Sequence, residues 1–149
     1  MKIDIPKIIE GLRLGDYAPE FGEAVLCVWV NPPRRLREAY TQAVEESVDA
    51  LRQAQELSRE ALEDEILASL QQRVRASEQK QREWFAEIWS QGPEGTGWTL
   101  EEIDELAASD SDPALLPWLI GRTVAMIGEH RSASKKASTP RSARSPSAA

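Results

Sequence analysis

From Arg34 to Gln91 the chain runs for 58 residues without a glycine or a proline. The stretch is rich in Ala, Leu, Glu, Gln and Arg, which tolerate a helix best, and it lacks the two residues that interrupt one. It fills two-fifths of a 149-residue chain, so helix must dominate the fold. Leu36, Tyr40, Val44, Val48 and Leu51 recur at the spacing of one helical face. The stripe lapses at Gln55 and Ser58, resumes as Leu62, Ile66, Leu70 and Val74, and ends in Trp84, Phe85, Ile88 and Trp89. A single straight helix of this length would run about 87 Å, against a radius of gyration of roughly 15 Å for a compact chain of this size. The lapse therefore predicts a helical hairpin over 33–90, folding back near Leu57 and Ser58, with its break between Arg52 and Ala61. That fold sets Arg37 opposite Glu78, Arg52 opposite Glu63 and Arg34 near Glu83. A long rod within an oligomer is the competing arrangement.

The flanks supply the rest of an α+β fold, mainly α with a small N-terminal β element. "KIDIPKII" (Lys2 to Ile9) alternates as a strand does, and "AVLCVWV" (Ala24 to Val30) is apolar on both faces. Gly11, Gly15, Pro19 and Gly22 make the segment between them a loop. Two strands are marginal in water, so they must lie on the helices, pair with another subunit's edge, or both; self-association stays open. Asn31 stands as a candidate N-cap for the first long helix, followed by Pro32 and Pro33. Gly92, Pro93, Gly95 and Gly97 make a loop of 91–98. A capping box from Thr99 to Glu102 opens a short helix, with Trp98 placed to staple against Ile103. The last helix presents Leu116, Leu119, Ile120, Val124 and Ile127, and Pro117 sits in its first turn. Residues 1–130 thus read as one domain: strand pair 2–31, helical region 33–90, loop 91–98, C-terminal helices 99–130. Residues 131–149, a basic Ser/Ala-rich tail, bury too little to order themselves.

Charge and composition narrow the function classes. The formal net charge is −7. Residues 91–129 hold eight acids against Arg122 alone, whereas 130–149 hold five bases and no acid. An acidic body disfavours duplex nucleic acid as the main ligand, since affinity there comes from neutralising phosphates. Cys27 and His130 are each the only residue of their type, so neither a disulfide nor a four-ligand Cys/His metal site forms within one chain. No apolar run approaches the ~20 residues of a membrane span, and the first 30 residues lack the order of a signal peptide. A soluble, cytoplasmic protein without cofactor or metal is expected.

Three groups invite a chemical reading. His130 beside Glu129 has no rigid triad around it, and a cation at a helix carboxyl terminus accounts for it more simply. Glu56, Glu60, Glu63, Asp64 and Glu65 lack the oxygen cage that calcium requires and read as a solvated turn. Arg34, Arg35 and Arg37 are odder, because three cations in a first turn oppose the helix dipole; pairing with the returning helix competes with a partner site. Trp84, Phe85 and Trp89 lie within two turns beside a glycine loop, where aromatics serve as core or as protein-binding hot spots. The candidate partner-binding residues are these six.

The order of parts, a strand pair ending "VLCVWVNPP", a long charged helical region, then "WFAEIWSQGPEGTGWTLEEIDEL" and an apolar last helix with a polar tail, resembles the tail assembly chaperones of long-tailed bacteriophages and prophages over roughly residues 3–130. The resemblance implies a non-enzymatic protein of the host cytoplasm that binds the tape measure protein and recruits tail tube subunits. It transfers no catalytic residues. A structural or adaptor protein retained in a virion or another assembly is the alternative. In that family ribosomes slip back one base near the end of the short product and make a longer form. The resemblance places such a slip at the codons of Lys135 and Lys136. The gene is expected to show a slippery run there with an overlapping frame downstream; non-repetitive codons across 130–149 would remove the idea.

Overall fold

The computed structural model describes residues 4–58 and 64–138. Two antiparallel strands, β1 (Ile9–Arg13) and β2 (Val25–Trp29), are followed by α1 (Arg34–Ser58), α2 (Asp64–Ile88), α3 (Leu100–Ala108) and α4 (Leu115–Ser138). The first strand starts later than its alternation predicts. Pro6 has no amide to give a ladder, and Ile5 is 78% exposed; Ile3 lies outside the described residues. The ladder instead runs through Gly11, in the segment expected to be loop, pairing Ile9 with Trp29 and Arg13 with Val25. Leu12, Leu26 and Val28 turn inward as core, and short 3₁₀ turns at Leu14–Asp16 and Pro19–Phe21 carry the chain to β2. Asn31 is not a helix cap. Its side chain accepts from Ile8 N and Trp29 Nε1 and donates to the Pro6 carbonyl, which pins the N-terminal segment beside β2.

The helical hairpin forms, but Val48 and Leu51 of the expected stripe are exposed and Ala43, Ser47 and Ala50 are buried instead. α1 is described as far as Ser58 and α2, from Asp64, returns antiparallel beside it; part of the interval 52–61 in which the break is expected lies outside the described residues. Trp84 Nε1 donates to the Leu36 carbonyl at 2.7 Å, and Arg73 reaches Glu46 at 2.7 Å and Asp49 at 3.5 Å. Arg34 and Arg37 make no ion pair with Glu83 and Glu78, the cross-helix partners expected of them. Arg34 takes Glu38 one turn on, and Arg52 takes Asp49, because a neighbour on the same helix costs less side-chain ordering than one across the seam. Glu63, the expected partner of Arg52, and Leu62 lie outside the described residues.

Two corrections concern the C-terminal helices. α4 continues to Ser138, so residues 131–138 belong to a helix and not to a disordered tail. Extending an existing helix needs no new nucleus, and Ala, Lys and Arg propagate well; burial, the criterion used for the sequence, is not required. Residues 139–149 lie outside the described residues. The inward face of α4 is Leu115, Leu119, Thr123, Met126 and Ile127, while Val124 is 41% exposed and Leu116 and Ile120 are half-buried. The α3 capping box is present, with Thr99 accepting from the Glu102 amide and Glu102 accepting from the Thr99 amide.

One buried cluster joins the sheet to the helices: Leu12, Leu26, Val28 and Val30 meet Trp84, Phe85, Ile88 and Trp89 of the α2 end, Ile103 of α3, and Leu115, Leu119 and Ile127 of α4. The sheet therefore lies on the helices. The glycine loop closes over it, the Cys27 amide donating to the Thr96 carbonyl at 3.0 Å. A Cβ at Gly97 would collide with the Trp89 carbonyl, whereas one at Gly121 on α4 meets nothing. Gly97→Ala is expected to cost about 1–3 kcal/mol through forced backbone shifts, and Gly121→Ala to stabilise by about 0.5–1 kcal/mol through helix propensity. Urea unfolding of both variants reads these opposite signs.

Candidate functional site

The aromatic candidates lie inside. Trp84 is 7% exposed, Phe85 1% and Trp89 0%, so in this fold they form core and not a contact surface. The reason is geometric. Tyr40 of α1 stacks on Trp84 with centroids 4.6 Å apart, Phe85 sits edge-on to both, and Trp89 meets Phe85 and Trp98. The Trp89 Nε1 finds Thr123 Oγ1 at 3.0 Å, so even the polar edge of the indole is satisfied indoors. Their proximity to the glycine loop, which marked them as contact candidates, is what covers them.

The arginine candidates divide. Arg34 and Arg35 are exposed, and Arg34 is held by Glu38 at 2.7 Å. Arg37 is half-buried, and its Nε is buried without a hydrogen-bond partner. It shares a cleft of about 740 Å³ with His130 and Arg131 of α4. His130 thus stands within a helix and not at its end, which withdraws the carboxyl-terminal explanation for it. Of the acidic group, Glu60 and Glu63 lie outside the described residues; among the described residues no group of three His, Cys, Asp or Glu side chains is placed to hold a metal ion.

The surface that sequence reasoning missed lies on the hairpin arm. Beyond the base, the buried residues of the arm are Ala43, Ser47 and Ala50 of α1 with Leu70 and Ser77 of α2, none of them part of the main cluster. These small side chains let the helices approach closely. Successive helical positions turn by about 100°, so Glu46, Asp49 and Gln53 fall on one flank of that seam and Val44, Val48 and Leu51 on the other. Arg73 bonds the first three residues, which fixes the charged flank of the hairpin. The opposite flank therefore collects Val44, Val48 and Leu51 from α1 with Leu67 and Val74 from α2. Val48 is 58% exposed and Leu51 47%, and Ile66 toward the arm's end is 40% exposed. The signal was legible: α1 carries a small-residue stripe, Ala43, Ser47, Ala50 and Ala54, beside the larger one, and only one of the two can face α2.

No family model, curated protein or solved structure matches this chain. Among the described residues no helix is long and apolar enough to cross a membrane.

Electrostatics perturbs both tyrosines. The Tyr17 phenol donates to Asp112 Oδ1 at 2.6 Å, and that hydrogen bond, with desolvation and the carboxylate's charge, raises its pKa above 10.0; burial against Trp84 raises Tyr40. Unfolding frees both phenols to ionise near 10, so the folded state holds its protons longer. Stability from this source is complete below pH 10 and is lost as pH rises through the folded pKa values. Ultraviolet titration is expected to show phenolate forming later than in the urea-unfolded chain, and Asp112→Asn to bring Tyr17 alone back toward its ordinary value.

Proposed function

We propose that this protein is a non-enzymatic binding module whose hairpin arm receives an apolar helical segment of another protein. The observation that carries the reading is the apolar flank, with Val48 and Leu51 exposed and Val44 half-buried beside them, on an arm whose other flank is charged and internally paired. Helix-in-groove recognition uses such a strip, with anchors from the incoming helix at i, i+3 or i+4 and i+7. A monomer gains nothing by keeping aliphatic side chains in water along one edge of a helix pair, while a third helix laid there would bury them.

Joined to the order of parts in the sequence, this supports the narrower proposal of a phage tail assembly chaperone. Its partner is then the tape measure protein, a very long helical chain, with tail tube subunits recruited to the complex in the host cytoplasm. The arm would mask apolar stretches of the partner until the tube is built around them. A tail tube gene on one side of this gene and a long helical tape measure gene on the other are the genomic expectation.

The binding experiment separates arm from core. Val48→Glu with Leu51→Glu is expected to leave the urea midpoint nearly unchanged, since exposed substitutions usually stay within about 0.5 kcal/mol, while abolishing co-purification with the tape measure protein. Trp84→Ala is expected to cost about 3–5 kcal/mol and to fail by unfolding. Full binding by the folded double variant would overturn the arm as the docking surface. A concentration-dependent dimer that the same variant dissolves would assign the flank to a second copy of this chain.

A further inference from the structure

The apolar flank of the arm is complementary to a second copy of itself. Thr41, Val44, Val48, Leu51 and Gln55 follow one another along α1 at alternating steps of three and four, the repeat with which one helix packs along another. In an antiparallel pair of such stripes the layers alternate the two kinds of position, so Val48 lies against either Leu51 or Val44 of the other helix. Setting Val48 on Leu51 about a two-fold axis makes that layer twice, and it joins the flank's two most exposed aliphatic side chains, at 58% and 47%. The bordering charges select the same register. At about 100° per residue, Glu45 and Arg52 both edge the stripe on the side away from α2. With Val48 on Leu51, Glu45 of one copy falls beside Arg52 of the other, again twice; with Val48 on Val44, Glu45 would meet Glu45. Glu45 is exposed and makes no ion pair with a described residue. Arg52, its side chain 68% exposed, has Asp49 of its own helix as its ion-pair partner among the described residues.

The ends of the arm agree with that direction. Its base carries Arg34 and Arg35 with no acid in the first turn of α1, and Arg37 just beyond. Its tip carries Glu56 with Asp64 and Glu65 of the first turn of α2, all three exposed and without an ion pair to a described residue. The 25 residues of α1 set base and tip about 37 Å apart. Antiparallel pairing lays each acidic tip along the other copy's basic base, whereas parallel pairing would set like on like. We propose that two copies of this chain pair arm to arm, antiparallel, with Val48 on Leu51 and Glu45 beside Arg52 across the axis. The proposal rests on the flank being a docking surface, as above, and names what occupies it first: the second copy covers the strip until an apolar helix of another protein displaces it.

Sedimentation velocity of the full chain over a range of concentrations tests it. A reversible monomer–dimer equilibrium is expected. Glu45→Arg or Arg52→Glu alone sets two like-charged pairs across the axis and is expected to raise the dissociation constant about tenfold, with the helical circular dichroism unchanged because both residues are exposed. The two substitutions together exchange the charges and are expected to restore the parent's dimer. A chain that stays monomeric at millimolar concentration, a dimer indifferent to both single substitutions, or a double variant no tighter than the single ones would each overturn the pairing. The charge variants keep Val48 and Leu51, so they are expected to co-purify with the tape measure protein as the parent does. Capture of that partner by a chain that never dimerises overturns the pairing and leaves the binding module standing; a dimer of the expected charge dependence in a chain that captures no such partner does the reverse.

Discussion

Trp89 is the point at which four segments become one body. It follows the last residue of α2, its amide bonded to the Phe85 carbonyl at 2.8 Å. Its ring meets Phe85 on one side and Trp98 on the other, its Nε1 reaches Thr123 of α4, and its carbonyl lies where only Gly97 can pass. Each contact constrains a different element, and the residue is fully buried. A buried indole N–H left without an acceptor would cost about 1–3 kcal/mol, so Thr123 is fixed in the middle of an otherwise apolar helix face by the demand of this one donor. The glycine loop follows from the same constraint. Close approach to the Trp89 carbonyl excludes any side chain at Gly97, and the loop so placed lays Thr96 along the free edge of β2.

The charges are arranged around that body by the same logic. Arg82 of α2 reaches Asp104 of α3 at 2.7 Å, and Tyr17 holds Asp112 ahead of α4. Acids of the 91–129 region are thus partly used to fasten the C-terminal helices to the earlier elements. Such half-exposed pairs contribute little individually, but they orient α3 and α4 over the sheet. The bases of the 130–149 region are different in kind. Arg131 forms no ion pair among the described residues and is brought by the continuation of α4 to a cleft shared with Arg37, a residue nearly a hundred positions earlier in the chain.

Elements set by short-range rules were legible in the sequence; those set by what a distant residue requires were not. The capping box Thr99 to Glu102 needs only neighbours along the chain and could be read directly. The start of β1 depends on Asn31, more than twenty residues away, capturing Ile8 and Pro6, and no local pattern announces that. Thr123 carries no local signal of its burial, because its partner, Trp89, lies 34 positions earlier. The Trp84, Phe85 and Trp89 cluster was ambiguous for a related reason: aromatic spacing shows that the residues are together, not whether a loop will cover them. Arg37 was recognisable as anomalous from the helix dipole alone. Its neighbours on α4 were hidden, because residues 131–138 are too polar to signal order by burial, and a helix that is already nucleated continues without burial.

The arm shows how little two helices can hide by themselves. A helix in contact with one partner buries a single stripe, and on α1 that stripe is occupied by Ala43, Ser47 and Ala50. Residues this small draw the backbones together but bury little area, so the arm gains modest hydrophobic stabilisation per turn compared with the aromatic base. Had the larger stripe, Val44, Val48 and Leu51, faced α2, the pair would have been more stable and its outer surface more polar. The observed choice puts the better hydrophobic anchors outward, where intramolecular packing leaves Val48 and Leu51 about half in water. At about 25 cal/mol per Å², even a few hundred Å² recovered along this flank would offset much of the ordering that association demands. The charged flank cannot play that part, because Arg73 already ties Glu46, Asp49 and Gln53 together and a partner would have to break those bonds first. The difference between the two flanks gives the arm a direction: one has its polar groups paired within the chain, and the other leaves aliphatic side chains in water.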